Sequence, residues 1–181
     1  MPRTRLRVAS LALAAALALL AACGTDPVEA IRRSRPAAVA PRTLAEALEG
    51  YRYFSRVGWS ATPDRQGRQI VRATGVYDLD RLLGAEAGGR VFGPANRAAL
   101  HKVGANLCFV LEYALDPRQG QAERVFTAMM IVTMDWSQPA PLADDAVLRE
   151  IAQGLAGAAT LKAAQDAAAY ALARNAVQPG R

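Results

Sequence analysis

One histidine and two lysines stand in a chain of 181 residues, and cysteine occurs twice. These shortages exclude more than they permit. With His101 alone, a metal cluster built from several imidazoles is not available. A Ser-His-Asp arrangement would have to use that same histidine, and no G-x-S-x-G elbow is present. Neither G-x-x-x-x-G-K-[ST] nor G-x-G-x-x-G occurs, so no nucleotide-cradling loop is indicated. No cofactor or metal is expected on these grounds. Asp78 and Asp80 in "YDLDR" lack the further oxygen ligands and the closing Glu of a Ca²⁺ loop. They read as turn and helix-start acids. A Cys108–His101 dyad is disfavoured because "NLCFV" reads as a strand and His101 falls in or near a loop. No catalytic residue is assigned. Arginine outnumbers lysine twenty to two, but no basic run is interleaved with aromatics, so nucleic acid is not an expected partner.

What the chain does have begins at its N-terminus. Met1 to Arg7 carries Arg3, Arg5 and Arg7 and no acid, and Val8 to Ala22 is an Ala/Leu-rich run. A charged stretch followed by a short apolar one is the pattern of a secretory signal peptide. Those residues would span roughly 22 Å as a helix at about 1.5 Å per residue, short of a bilayer core of about 30 Å. The run ends in Leu20-Ala21-Ala22-Cys23. That tetrapeptide resembles the lipobox of bacterial lipoproteins: a Leu, two small residues, then Cys. The resemblance covers residues 1–24. It implies cleavage between Ala22 and Cys23, a diacylglyceryl group on the Cys23 sulfur, and often a fatty acid such as palmitate on the new amine. Two or more acyl chains give stable membrane attachment. Gly24 follows the cysteine, where many Gram-negative lipoproteins retained in the inner membrane have Asp. The resemblance therefore implies the outer membrane, facing the periplasm. Loss of residues 1–22 removes three Arg and no acid, and lowers the net charge from +6 to +3.

The remainder suits one domain. Residues 23–42, with their prolines and four arginines, read as a lipidated cysteine and flexible tether, with anionic lipid headgroups a further contact. The globular part is expected over 43–158. "TLAE" forms a capping box between Thr43 and Glu46, opening a helix to about Ser55. "VGWSAT" and "QIVRATGVYD" read as a hairpin around "PDRQGR". "DLDRLLG" reads as one helical turn closed by Gly84. Residues 85–103 read as a long loop with a short helix inside it. Ala105–Leu115 alternates strictly, and Ala122–Trp136 is its return strand. Phe126, Met130 and Val132 share one face there, and the opposite face reads as partly covered. "SQPAP" ends the sheet, and Asp144 or Asp145 caps a helix carrying Leu148 and Ile151. An Ala-rich helix over 159–181 offers few large apolar groups and reads as peripheral.

The fold class expected is α+β: an antiparallel sheet of about four strands, in two hairpins, with an N-terminal helix and C-terminal helices on one face. Cys108 reads as a buried thiol. Trp59, Trp136 and Tyr170 are the candidate partner contacts, because large aromatics carry binding energy where they are exposed. The function these features imply is a membrane-anchored envelope lipoprotein acting as a non-catalytic binding or assembly module with an envelope protein partner. The alternative is a membrane-tethered periplasmic hydrolase whose carboxylates lie in the Ala85–Val103 region.

Overall fold

The computed structural model describes residues 26–116, 121–142 and 144–177. The lipidation and cleavage sites, Cys23 and Ala22, lie outside the described residues. Seven strands and six helices follow in order: α1 (Pro27–Arg32), α2 (Leu44–Glu49), β1 (Phe54–Pro63), β2 (Gln69–Tyr77), α3 (Leu79–Leu82), β3 (Glu86–Ala87), β4 (Arg90–Val91), α4 (Pro94–Lys102), β5 (Asn106–Asp116), β6 (Gln121–Val132), β7 (Ser137–Pro141), α5 (Ala146–Ala152) and α6 (Ala158–Val177). Five strands form one antiparallel sheet in the order β1-β2-β5-β6-β7, and β3 and β4 form a separate small hairpin.

The α+β class and the two large hairpins are as expected, and the sheet has one more strand than the four anticipated. The addition is "SQPAP". Two prolines argue against a central strand, but an edge strand accepts them where the missing N–H would have faced away from the sheet. The end-of-ladder bonds Thr133 N–H to Trp136 O and Leu142 N–H to Thr127 O set the alternation. With Met130 opposite Pro139 and Ala128 opposite Pro141, both prolines fall at outward-facing positions.

Residues 26–42 are not a loose tether. Asp26 caps α1 by accepting from Val28 N–H, and Pro27 occupies the first turn, where its absent N–H costs nothing. Ile31 and Val39 are buried in the core, and Leu44 N–H donates to Ser34 O. The prolines that suggested an open chain here start a helix and shape turns. The capping box at Thr43 and Glu46 forms in full, with the Glu46 carboxylate accepting from Thr43 N–H at 2.7 Å. That helix ends at Glu49, earlier than expected. Tyr51, Tyr53 and Phe54 are all buried, and three rings at that spacing do not share one helical face; the chain turns at Arg52 and Tyr53 to seat them together with Tyr77. Gly75 accommodates the cluster: a Cβ there would lie 2.2 Å from the Phe54 ring.

Residues 85–103 resolve into the β3–β4 hairpin and α4. Gly88 and Gly89 take φ of +58° and +73° at its tip, backbone conformations that glycine reaches without penalty. Pro94 starts α4, and the Asn96 side chain accepts from Gly93 N–H.

The sheet's two faces differ. Val71, Ala73, Leu107, Phe109, Leu111, Met129 and Ile131 point to one face, where they join residues from every helix in a single core. The register pairs Phe109 with Met129 and Leu107 with Ile131. The face of β6 expected to be only partly covered is thus the core face. Phe126, Met130 and Val132 lie on the opposite face, with Cys108, Val110 and Val76. Both faces of β6 are apolar enough in sequence to be mistaken for each other. Tertiary pairing with β5, whose odd positions are the bulkier set, decides between them.

The last helix corrects a further expectation. Thr160, Leu161, Ala164, Ala167, Ala168 and Ala171 of α6 are buried, so the segment after residue 158 belongs to the core. Alanine buries little area per side chain, but its size lets the helix axis approach its neighbours closely. The Glu150 carboxylate accepts from Ala159 N–H at 2.9 Å and Thr160 N–H at 2.8 Å, satisfying two of the helix's unpaired donors. Gly157 makes room for this, since a Cβ there would meet Glu150 Cδ at 2.3 Å.

Candidate functional site

Three features are placed by this fold: a polar hollow at one end of the sheet, an aromatic corner at the β7 edge, and the sheet face that no described helix covers.

The hollow has a volume of about 400 Å³ and is lined by Ser55, Asp78, Asp80, His101 and Asn106, among others. It brings His101 together with the two acids, but the acids are occupied. Asp78 Oδ1 accepts from Asp80 and Arg81 N–H, capping α3, and its other oxygen lies 3.1 Å from Arg81 Nε. Asp80 pairs with Arg97 at 2.5 Å. These are the turn and helix-start roles their sequence context suggested. Cys108 is not among the lining residues, so the hollow does not assemble the Cys108–His101 dyad. Glu86 is the one carboxylate within 85–103, and it is exposed on a two-residue strand. That segment does not supply the convergent pair a carboxylate hydrolase needs. Among the described residues, no group of three or more His, Cys, Asp or Glu is placed to hold a metal ion.

Two of the three candidate aromatic contacts meet. Trp136 and Tyr170 pack edge to face with centroids 5.9 Å apart, and the Arg174 guanidinium sits 4.3 Å over the Trp136 ring. The Tyr170 hydroxyl donates to Gln138 Oε1 at 3.2 Å, tying α6 to β7. Beside them a pocket of about 220 Å³ opens between β7 and α6, walled by Met129, Ile131, Pro139, Ala140, Ala167 and Tyr170. Trp59 is elsewhere, on β1 at the other margin of the sheet. Its indole N–H donates to Glu49 at 2.9 Å and Arg32 lies 5.7 Å from its ring, so its polar atom is satisfied within the domain.

The third feature was not singled out in the sequence. Val76, Cys108 and Val110 are buried at its centre, and Phe126, Met130 and Val132 are half-buried around them. No described helix contributes to this cluster. Arg72, paired with Glu112, and Arg56 stand at its margin. Burial pushes the Cys108 thiol up to about 11, against the weaker opposing effect of Arg56. The thiol is therefore neutral at ordinary pH and packs as an apolar group, as its sequence context suggested. The signal for this face was present in β5, where Cys108, Val110 and Ala114 make three of the even positions apolar beside the apolar odd ones. Alternation alone does not say which of two apolar faces the helices take.

Comparison of the chain with protein-family models, with curated proteins and with solved structures finds no match to any of them.

Proposed function

We infer that this chain is a lipid-anchored envelope protein whose domain works as a binding or assembly module, most consistent with the periplasmic side of an outer membrane. The observation that carries the binding role is the apolar sheet face centred on Val110, which no described helix covers. A surface of this kind costs solubility, and that cost is offset when a partner removes it from water. The anchor reading rests on Leu20-Ala21-Ala22-Cys23. The folded start at Asp26 adds a consequence to it. Three residues extend at most about 10 Å, so a lipid on Cys23 holds the domain against the membrane surface and limits its reach to partners close by. Arg33, at the C-cap of α1, and Arg35 just after it would then lie near a surface where basic groups interact with anionic headgroups. The occupied carboxylates of the hollow give the hydrolase alternative no comparable support.

Two measurements test the two halves separately. Fatty-acid labelling of cells should mark the wild-type protein and leave Cys23→Ser unlabelled; label on the variant sinks the anchor. A photo-crosslinking residue at Phe126 or Met130 should form a discrete adduct in intact cells, whereas one at the exposed Ala169 on α6 should not. Equal adducts from both sites would remove the binding role from this face.

A further inference from the structure

The two edges of the main sheet are built differently. On β7 the outward positions are Ser137, Pro139 and Pro141, and the two prolines offer no N–H to a further strand. On β1 the reverse holds. The bond from Asp64 N–H to Arg68 O fixes the alternation of the β1–β2 ladder. With Thr62 opposite Ile70 and Ser60 opposite Arg72, the even residues exchange bonds with β2. The N–H and C=O groups of Val57, Trp59 and Ala61 therefore point away from the sheet. No turn, loop or cap among the described residues uses them. Val57, Trp59 and Ala61 are also only half-buried.

In the middle of this edge stands Gly58. Its φ is not in the positive region, and a Cβ built on it meets nothing within 4 Å. Nothing inside the domain therefore requires glycine here, although glycine weakens a strand interior. A glycine so placed commonly marks close approach by another backbone.

We propose that β1 pairs antiparallel with β1 of a second copy of this chain, about a two-fold axis at Gly58, joining two five-stranded sheets into one. The register is self-complementary. Val57 lies opposite the partner copy's Trp59 and exchanges main-chain bonds with it, an aromatic on a β-branched residue, which is a favourable cross-strand pair. Arg56 lies opposite Ser60, so no like charges meet. At the axis the two glycines face each other at a closely spaced position, where side chains would crowd. Because β7 is blunted, the same chemistry does not propagate: the assembly closes at two copies instead of growing into a filament. The pairing does not depend on the anchor, although attachment to a shared membrane would raise its effective concentration.

Sedimentation equilibrium of the full chain in non-ionic detergent should show a concentration-dependent dimer. Ala61→Pro removes an outward N–H and leaves the β1–β2 bonds in place; it should be monomeric with its cooperative melting retained. Gly58→Cys should form a disulfide to its own copy under mild oxidation, mapped by mass spectrometry as a 58–58 link, while Ser137→Cys on the blunted edge should not. A wild type that stays monomeric at every concentration overturns the proposal, as does a folded Ala61→Pro variant that remains dimeric. If Ala61→Pro does not fold, the 58–58 link decides alone, and its absence refutes the pairing.

Discussion

The covered and open faces of the same five strands begin from similar chemistry and end in different states. On the covered face, Phe109, Leu107 and Leu111 are wholly buried under helices. One residue along the chain, Cys108 and Val110 are nearly as inaccessible, yet no described helix joins their cluster, and Phe126, Met130 and Val132 beside them are only half-buried. Burial fraction is therefore a poor guide to contribution. A side chain locked between two layers leaves a cavity when truncated, whereas one on an open face leaves a dent that water or a partner fills. This is why the covered face holds the fold together.

Removing the cover should have the largest effect. Truncation after Gly157 deletes α6, exposing the residues that Leu161 and its buried alanines pack against. The expected result is loss of the cooperative thermal transition by near-UV circular dichroism; a truncated domain that still melts sharply would show the helix to be dispensable. The next test compares two phenylalanines, one on each face. Phe109→Ala should cost about 3–5 kcal/mol in urea unfolding, and Phe126→Ala about 1 kcal/mol. Similar losses at both sites would erase the distinction between faces. Within the covered face, Gly75→Ala pushes a methyl into the Phe54 ring. It should destabilise by about 1–3 kcal/mol. That cost should shrink in a Phe54→Ala background, because the two positions share one contact.

The smallest effect is a pH dependence. Burial raises the Cys108 thiol from 9.0 to about 11, and Tyr51, Tyr77 and Tyr113 are raised by burial as well. Each of these groups ionises more readily in the unfolded chain. Their stabilising effect is complete below pH 9 and is lost as the pH climbs from about 9 toward 11, because the unfolded state then binds fewer protons. The melting temperature should fall between pH 8 and pH 10.5, and Cys108→Ala should lessen the fall. Native maleimide labelling of Cys108 should also be slow at pH 7 and rapid after denaturation. Prompt labelling of the native protein would show that the open face does not enclose its thiol.

Much of this architecture was legible in local sequence because local physics decides it. The Thr43–Glu46 box, the Asp64–Arg68 turn and the one-turn helix closed by Gly84 each depend on residues within a few positions of one another. The β5 alternation was readable for the same reason. The errors arose where a residue's role depends on distant partners. Val39 and Ile31 lie in a stretch whose prolines and arginines suggested an open tether, and only contact with the core makes it part of the domain. The alanines of α6 looked too small to matter until Glu150 and Gly157 set the helix close against its neighbours. Trp136 and Tyr170 were each visible as exposed-type aromatics, but their meeting under Arg174 brings together residues 34 positions apart.

The sequence alone determined the α+β class, the two hairpins and the caps, because these follow from short-range periodicity and turn chemistry. Tertiary structure decided which face of the sheet the helices take, that the last helix and residues 26–42 belong to the core, and that β1 is an unblunted edge while β7 carries two outward prolines. Those outcomes turn on which apolar surfaces meet, on pairing register, and on space at single glycines. Such quantities come into existence only when residues far apart in the chain are brought into contact.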